Sequence, residues 1–265
     1  MKRFVSAKII FPAMALAAGH AAHAAEDVIN PDRPGVVESS QVVGSGIMQI
    51  ETSISEEHNS EAGIDERTYT TPTLIRAGIN DTWELRMESG GRTVQHTRIN
   101  GTTRTLSGYA DISIGMKWHF TDENTASHRP STAWLFDVTT DTGSREFRGN
   151  GLRPSVRFVA EWTLPDDASL GVMPGVVYDR NDQHHFVSSM LAANYSKQFT
   201  PLLRGFVELA AQQLASTADG GNIIVADTGM TWLLNKDMQL DASIQRGLSD
   251  AAPDWLAAVG FSMRF

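Results

Sequence analysis

The sequence predicts an all-β protein, a 12-stranded antiparallel transmembrane β-barrel of the bacterial outer membrane. Three observations predict it. The chain opens on a basic and then apolar leader. No later apolar run is long enough for a membrane helix. Segments of about ten residues then alternate apolar and polar side chains up to a terminal aromatic, Phe265. Only helices and closed barrels span lipid, because every backbone polar group there must find a partner within the protein. An exported chain that alternates and has no spanning helix therefore points to a barrel.

The leader comes first. Lys2 and Arg3 precede an apolar run from Ile9 to Ala18, and small residues lead to Ala22-His23-Ala24. This order marks a signal peptide over residues 1–24, cut before Ala25. A spanning helix would need about 20 apolar residues. The mature chain, 25–265, divides into an N-terminal periplasmic or plug segment (25–45) and a barrel (46–265). Removing Lys2, Arg3 and Lys8 from the 22 basic residues leaves 19 against 31 acidic ones, a formal charge of −12. That balance offers nothing to nucleic acid. The chain has no cysteine, so a fold in which every strand is paired must hold without disulfides.

Twelve alternating segments follow. In the first, Met48, Ile50 and Ile54 oppose Gln49, Glu51 and Ser53. The second sets Ile75, Ala77 and Ile79 against Arg76, and the third Trp83, Leu85 and Met87 against Glu84, Arg86 and Glu88. The fourth is the clearest, with Ile112, Ile114, Met116, Trp118 and Phe120 against Asp111, Ser113, Lys117 and His119. Trp134, Phe136 and Val138 oppose Asp137, and Val156, Phe158, Ala160 and Trp162 oppose Arg157 and Glu161. Segments 168–179 and 185–199 are apolar on both faces, so their alternation is ambiguous; Val176, Tyr178, Leu191 and Tyr195 fall in the outward set. Val207 and Leu209 oppose Arg204 and Glu208; Met230 and Trp232 oppose Asp227; Leu240 and Ile244 oppose Asp241. The last segment sets Trp255, Val259, Phe261, Met263 and Phe265 against Ser262 and Arg264. Period two is the signature of strands, and ten-residue alternating segments are that of barrel strands.

The links support the count. Tight turns fall at 80–82, 165–167, 200–201 and 235–237, and longer links at 56–66, 89–105, 143–151, 215–222 and 247–253. Short periplasmic turns and long outer loops have this layout. Two links break it: 121–131 is long where a short turn is expected, and 179–184 is the reverse. Trp83, Trp118, Trp134, Trp162 and Trp232 all fall on the apolar face near the short turns, with Trp255 near the opposite rim. Amphipathic rings at two levels form interfacial girdles. A soluble sandwich with its apolar face inward would give the tryptophans no reason to gather at one end.

If the apolar face meets outer-membrane lipid, the polar face lines a lumen. The inward charges are then Glu51, Arg76, Glu84, Arg86, Glu88, Asp111, Lys117, Asp137, Arg157, Glu161, Arg204, Glu208, Asp227, Asp241 and Arg264, nine acidic and six basic. Two readings stay open. One is a polar passage for a small-molecule solute with a mild preference for cations. The other is a structural or envelope-interaction barrel whose acids and bases pair and lock the interior, since twelve strands enclose less space than a wide porin.

The stretches "NPDRPGVVESSQVVGSGIMQIET", "TPTLIRAGINDTWELR", "GYADISIGMKWHF", "GFVELA" and "GFSMRF" resemble the outer-membrane transporter family named for the MetA (meta-cleavage) pathway of phenol degradation. The resemblance spans nearly the whole mature chain. Its most specific pieces are Asp32-Arg33-Pro34-Gly35 followed by Gln49 and Glu51, and Leu74-Ile75-Arg76 followed by Glu84-Leu85-Arg86. Asp141-Thr142-Gly143 stands where similar chains carry Pro-Thr-Gly. The resemblance implies a barrel and uptake of aromatic or other hydrophobic compounds. The ending Phe261, Met263 and Phe265 resembles the terminal signature read by the barrel-assembly machinery.

No enzyme, cofactor or metal is expected. The Ser/His neighbourhood is His184-His185 with Ser188 and Ser189. Residues four apart on a strand stand roughly 13 Å apart, beyond the hydrogen-bond reach that a nucleophile and its base require. Adjacent histidines on a strand point to opposite faces.

Overall fold

The computed structural model describes residues 28–181 and 184–265. The leader expected over 1–24 lies outside the described residues. The strands are β1 (Met48–Glu61), β2 (Ile64–Thr70), β3 (Thr73–Gly78), β4 (Trp83–Ser89), β5 (Arg92–Ile99), β6 (Thr102–Tyr109), β7 (Ile112–Thr121), β8 (Ser131–Thr139), β9 (Arg153–Leu164), β10 (Ala168–Arg180), β11 (His185–Thr200), β12 (Leu203–Leu214), β13 (Ile223–Asn235), β14 (Met238–Gly247) and β15 (Trp255–Arg264). Twelve of them close a ring. β1 pairs with β3, β3 with β4, β4 with β7, and the remaining strands pair in sequence until β15 returns antiparallel to β1. The barrel therefore has no open edge to aggregate.

The other three strands correct the expectation for two links. Residues 56–66 and 89–105, expected as long connections, are mostly paired strand. The upper half of β1 pairs with β2, β2 with β5 and β5 with β6. This four-stranded sheet stands above the barrel. Its hairpins turn at Ala62-Gly63 and Asn100-Gly101, where all four residues have positive φ, as a two-residue type I′ hairpin turn demands. The alternation ends there because the sheet lies beyond the closed ring and encloses no lumen, so polar side chains suit either face.

The two ends of the barrel differ. β1 starts and Phe265 ends the chain at the lower end, where Phe265 N donates to Met48 O at 2.8 Å and Met48 N to Phe265 O at 3.3 Å. The link between β7 and β8 is also there, long as the sequence shows, with a 3-10 turn at Thr125–Ser127. Alternation sorts the wall. Ile54, Ile114 and Val259 are 69%, 59% and 64% exposed on the outer face, while Glu51, Glu84 and Lys117 are fully buried inside. On the outer face Trp83, Trp118, Trp134 and Phe158 lie opposite one another in register, with Trp83 stacked on Trp118 at 5.3 Å.

Candidate functional site in the lumen

The N-terminal segment, which the sequence left either in the lumen or in the periplasm, lies in the lumen from Val28 to Gly46. It enters at the lower end, where Ile29 N donates to Lys236 O at 2.7 Å. It returns to the wall at Gly46, whose N–H donates to Gly78 O at 3.1 Å, and then becomes β1. A chain buried without helix or sheet must pair its backbone N–H groups some other way. Here wall carboxylates accept them. Glu51 takes Asp32 N at 2.9 Å and Arg33 N at 3.0 Å, and Glu84 takes Val43 N at 2.9 Å. Glu208 takes Val36 N at 2.6 Å and Val37 N at 2.8 Å, and Glu161 takes Ser40 N at 2.5 Å.

The wall made by β1, β3, β4 and β7 is charged. Asp32 of the segment sits at its centre. It accepts Lys117 Nζ at 2.8 and 2.9 Å and Arg86 at 2.6 Å, and lies 3.5 Å from Arg76. Arg76 also binds Glu84 at 2.8 Å and Glu51 at 3.1 Å. Glu38 joins Arg86 at 2.7 Å to Arg157, which also binds Asp137 at 2.8 Å. Burial alone would push the Asp32 carboxyl up, but the charges of Arg76, Lys117 and Arg86 outweigh it and hold the group well below the usual carboxylate range. Farther round, Arg33 reaches Asp241 at 3.1 Å. Gly260 makes room for that pair, since a Cβ there would stand 2.6 Å from both Asp241 oxygens.

The opposite wall, β8 to β13, carries apolar clusters between its polar side chains. Leu135, Val159 and Met173 form one cluster, and Ala192, Ala210 and Val225 form another. Val36 and Val37 of the segment pack on both. Gly171 leaves the space for Val37, because a Cβ there would stand 2.8 Å from it. Gly171→Val is therefore expected to loosen the segment by about 1–3 kcal/mol of overpacking. Proteolysis of detergent-solubilised protein should cut within 30–43 faster than in the native chain while the barrel still resists. An unchanged rate would count against this docking. Below the segment, a cavity of about 700 Å³ opens at the lower mouth, lined by Gln49, Asn194, Gln198, Gln239, Arg33 and Arg204 among others.

The expected inward residues thus fall in different settings. Glu51, Arg76, Glu84, Arg86, Lys117, Asp137 and Arg157 are drawn into one network with the segment. Glu161, Glu208, Asp227 and Asp241 lie along the rest of the inner wall, and Glu88 is exposed above Arg86. Asp111 sits at the top of β7, where it accepts Gly143 N and Gly149 N at 2.8 Å and pairs with Arg153, so it shapes the link after β8. Arg204 and Arg264 are at the lower mouth, bound to Gln198 at 3.0 Å and Asp237 at 2.8 Å. Trp162 and Trp232 lie near lower strand ends, and Trp255 stacks on His58 at 5.6 Å near the top. Sequence reasoning missed Asp32, Arg33, Val36, Val37 and Glu38 as site residues. The available signal was the Asp32-Arg33-Pro34-Gly35 run in a stretch with no strand pattern. His185 stacks on Tyr178 while Ser188 is buried on the inner side, so the two do not meet. Among the described residues no three potential metal ligands gather.

Comparison with known proteins gives three findings. The family described as "Putative MetA-pathway of phenol degradation" matches residues 31–265. Solved structures share the fold: an outer membrane channel from Pseudomonas putida F1 (TM-score 0.62, 10% identity, covering 88% of this chain and 99% of that one), and the KdgM porin in complex with disordered oligogalacturonate (0.53, 13%, 80% and 99%). The β domain of the Bordetella autotransporter BrkA is similar as well (0.53, 12%, 83% and 100%). No curated protein matches in sequence.

Proposed function

The chain belongs to the family described as the MetA pathway of phenol degradation, and from that premise we propose that it is an outer-membrane channel for passive uptake or binding of small compounds, hydrophobic and aromatic ones included. The fold is that of outer membrane channels and porins. One observation supports the solute class: two apolar clusters on the inner face of β8 to β13 stand across the lumen from a charged wall, and the N-terminal segment now covers them. With the segment displaced, a solute with an apolar body and a polar head would find both surfaces there, whereas a purely polar interior would favour ions and sugars.

The packed N-terminal segment favours a second reading, a barrel held shut for a structural role. Single-channel recording in planar bilayers separates the two. The mature chain should conduct weakly, and deletion of 28–45 should raise the conductance several-fold. A seal that persists after deletion would favour the structural barrel.

A further inference from the structure

The outer face changes character at the upper end of β14, β15 and β1. Ile244, Val259 and Ile54 are exposed there, a surface for acyl chains. Above them runs a register row on the same face. It passes through Arg246, Trp255, His58, Arg67, His96 and Thr105, each directly opposite the next on the neighbouring strand. It holds two arginines, two histidines and an indole, and no carboxylate. Arg92, on that face of β5 by period two, lies over the exposed Tyr109 ring at 5.9 Å. The lower ends of β14, β15 and β1 differ. Met238, Met263 and Met48 occupy the outer face there, and the cation below them, Lys236, stands beside Asp237 in a turn. The chain as a whole is acidic, with a formal net charge of −9, so the upper cations are a local excess.

The carboxylates near the row are taken. Glu56 and Asp65 stand 3.6 and 4.0 Å from Arg67, and Asp65 and Asp254 stand 3.1 and 3.7 Å from His58. Among the described residues no carboxylate lies in ion-pair range of Arg92 or Arg246. Arg246 donates to the backbone Asp254 O at 2.8 Å, which holds it at the rim and leaves most of its five N–H donors for another acceptor. A guanidinium fork matches phosphate oxygens bidentately, and aromatic rings favour the headgroup level of a bilayer. An acidic peptide would answer the cations but not the apolar strip directly below them. A lipid presents both, an anion and, beneath it, acyl chains.

We propose that Arg92 and Arg246, with the Tyr109 and Trp255 rings beside them, bind the phosphate groups of outer-leaflet lipid headgroups while the acyl chains lie on the apolar strip below. The site is outside the lumen and holds whether or not the barrel conducts.

The test uses full-length mature protein in a neutral detergent, with native mass spectrometry to count bound dioctanoyl phosphatidic acid and dioctanoyl phosphatidylcholine. Phosphatidic acid should be held at least about tenfold more tightly, because choline offsets the phosphate charge in the other lipid. Inorganic phosphate at equal concentration should not displace it. Arg92→Gln combined with Arg246→Gln should remove the preference, and Lys236→Gln at the lower end should leave it. Equal retention of the two lipids overturns the proposal on native protein alone. So does displacement by inorganic phosphate, which would mark a site for free anions. An unchanged preference in a doubly substituted chain that keeps the heat-modified gel mobility of a folded barrel overturns it as well.

Discussion

Replacing Asp32 by alanine is expected to release the N-terminal segment from the lumen and to cost the folded protein about 3–5 kcal/mol, the range for removing one partner of a buried ion pair. Asp32 is the carboxylate shared by Arg76, Arg86 and Lys117, all nearly fully buried. Without it the three cations share Glu51 and Glu84 of the wall and Glu38 of the segment, which are already divided among them. Asp32→Asn keeps the shape, removes the charge and should act in the same direction. The chain has no native cysteine, so a single Val36→Cys substitution reports docking cleanly. Thiol labelling at that position should be slow with Asp32 present and fast without it. Equal labelling rates and equal urea midpoints would sink the claim.

The acid dependence follows with its sign. The folded-state pKa of Asp32 is lowered, so its contribution is fully present above the ordinary carboxylate range and is lost only as the pH falls through the lowered value. Thiol labelling of the Val36→Cys chain should stay slow in mild acid and accelerate only under strongly acidic conditions.

Ile114→Arg is expected to cost about 2–4 kcal/mol and to depress folding into lipid vesicles, as for an arginine near the bilayer midplane on a barrel's outer face. Ile114 lies within β7 and its side chain is exposed on that face. In a water-soluble barrel the same change would fall within about 0.5 kcal/mol, as exposed substitutions usually do. Thr103→Arg, on β6 of the sheet above the barrel, is the matched control and should be nearly neutral. Heat-modified gel mobility reads the folded fraction. If both variants fold into vesicles like the native chain, the outer face does not meet acyl chains.

The legible and illegible parts of this molecule divide along a physical line. Where one face of a strand meets lipid and the other does not, alternation is strict, and β7 or β15 could be read residue by residue. Where both faces see the same kind of surroundings, the signal goes. That happened twice. Above the barrel β2, β5 and β6 enclose no lumen, so their two faces carry the same kind of side chain and no strand pattern shows. In β10 and β11 apolar side chains serve both faces, and their ambiguous pattern was the trace of the inner apolar wall, with Met173 and Ala192 on the hidden side.

By itself, then, the amino-acid order determined the barrel and its twelve-strand closure, because period-two patterning is a local property of every strand whose two faces meet different surroundings. Only the tertiary structure decided which charges meet. Asp32 is 54 residues from Arg86 and 85 from Lys117 along the chain, and residues 28–46 hold only a few contacts of their own, such as Ser39 N to Asp32 at 2.9 Å. Their path through the lumen is set largely by carboxylates that strands far apart in sequence bring to one surface.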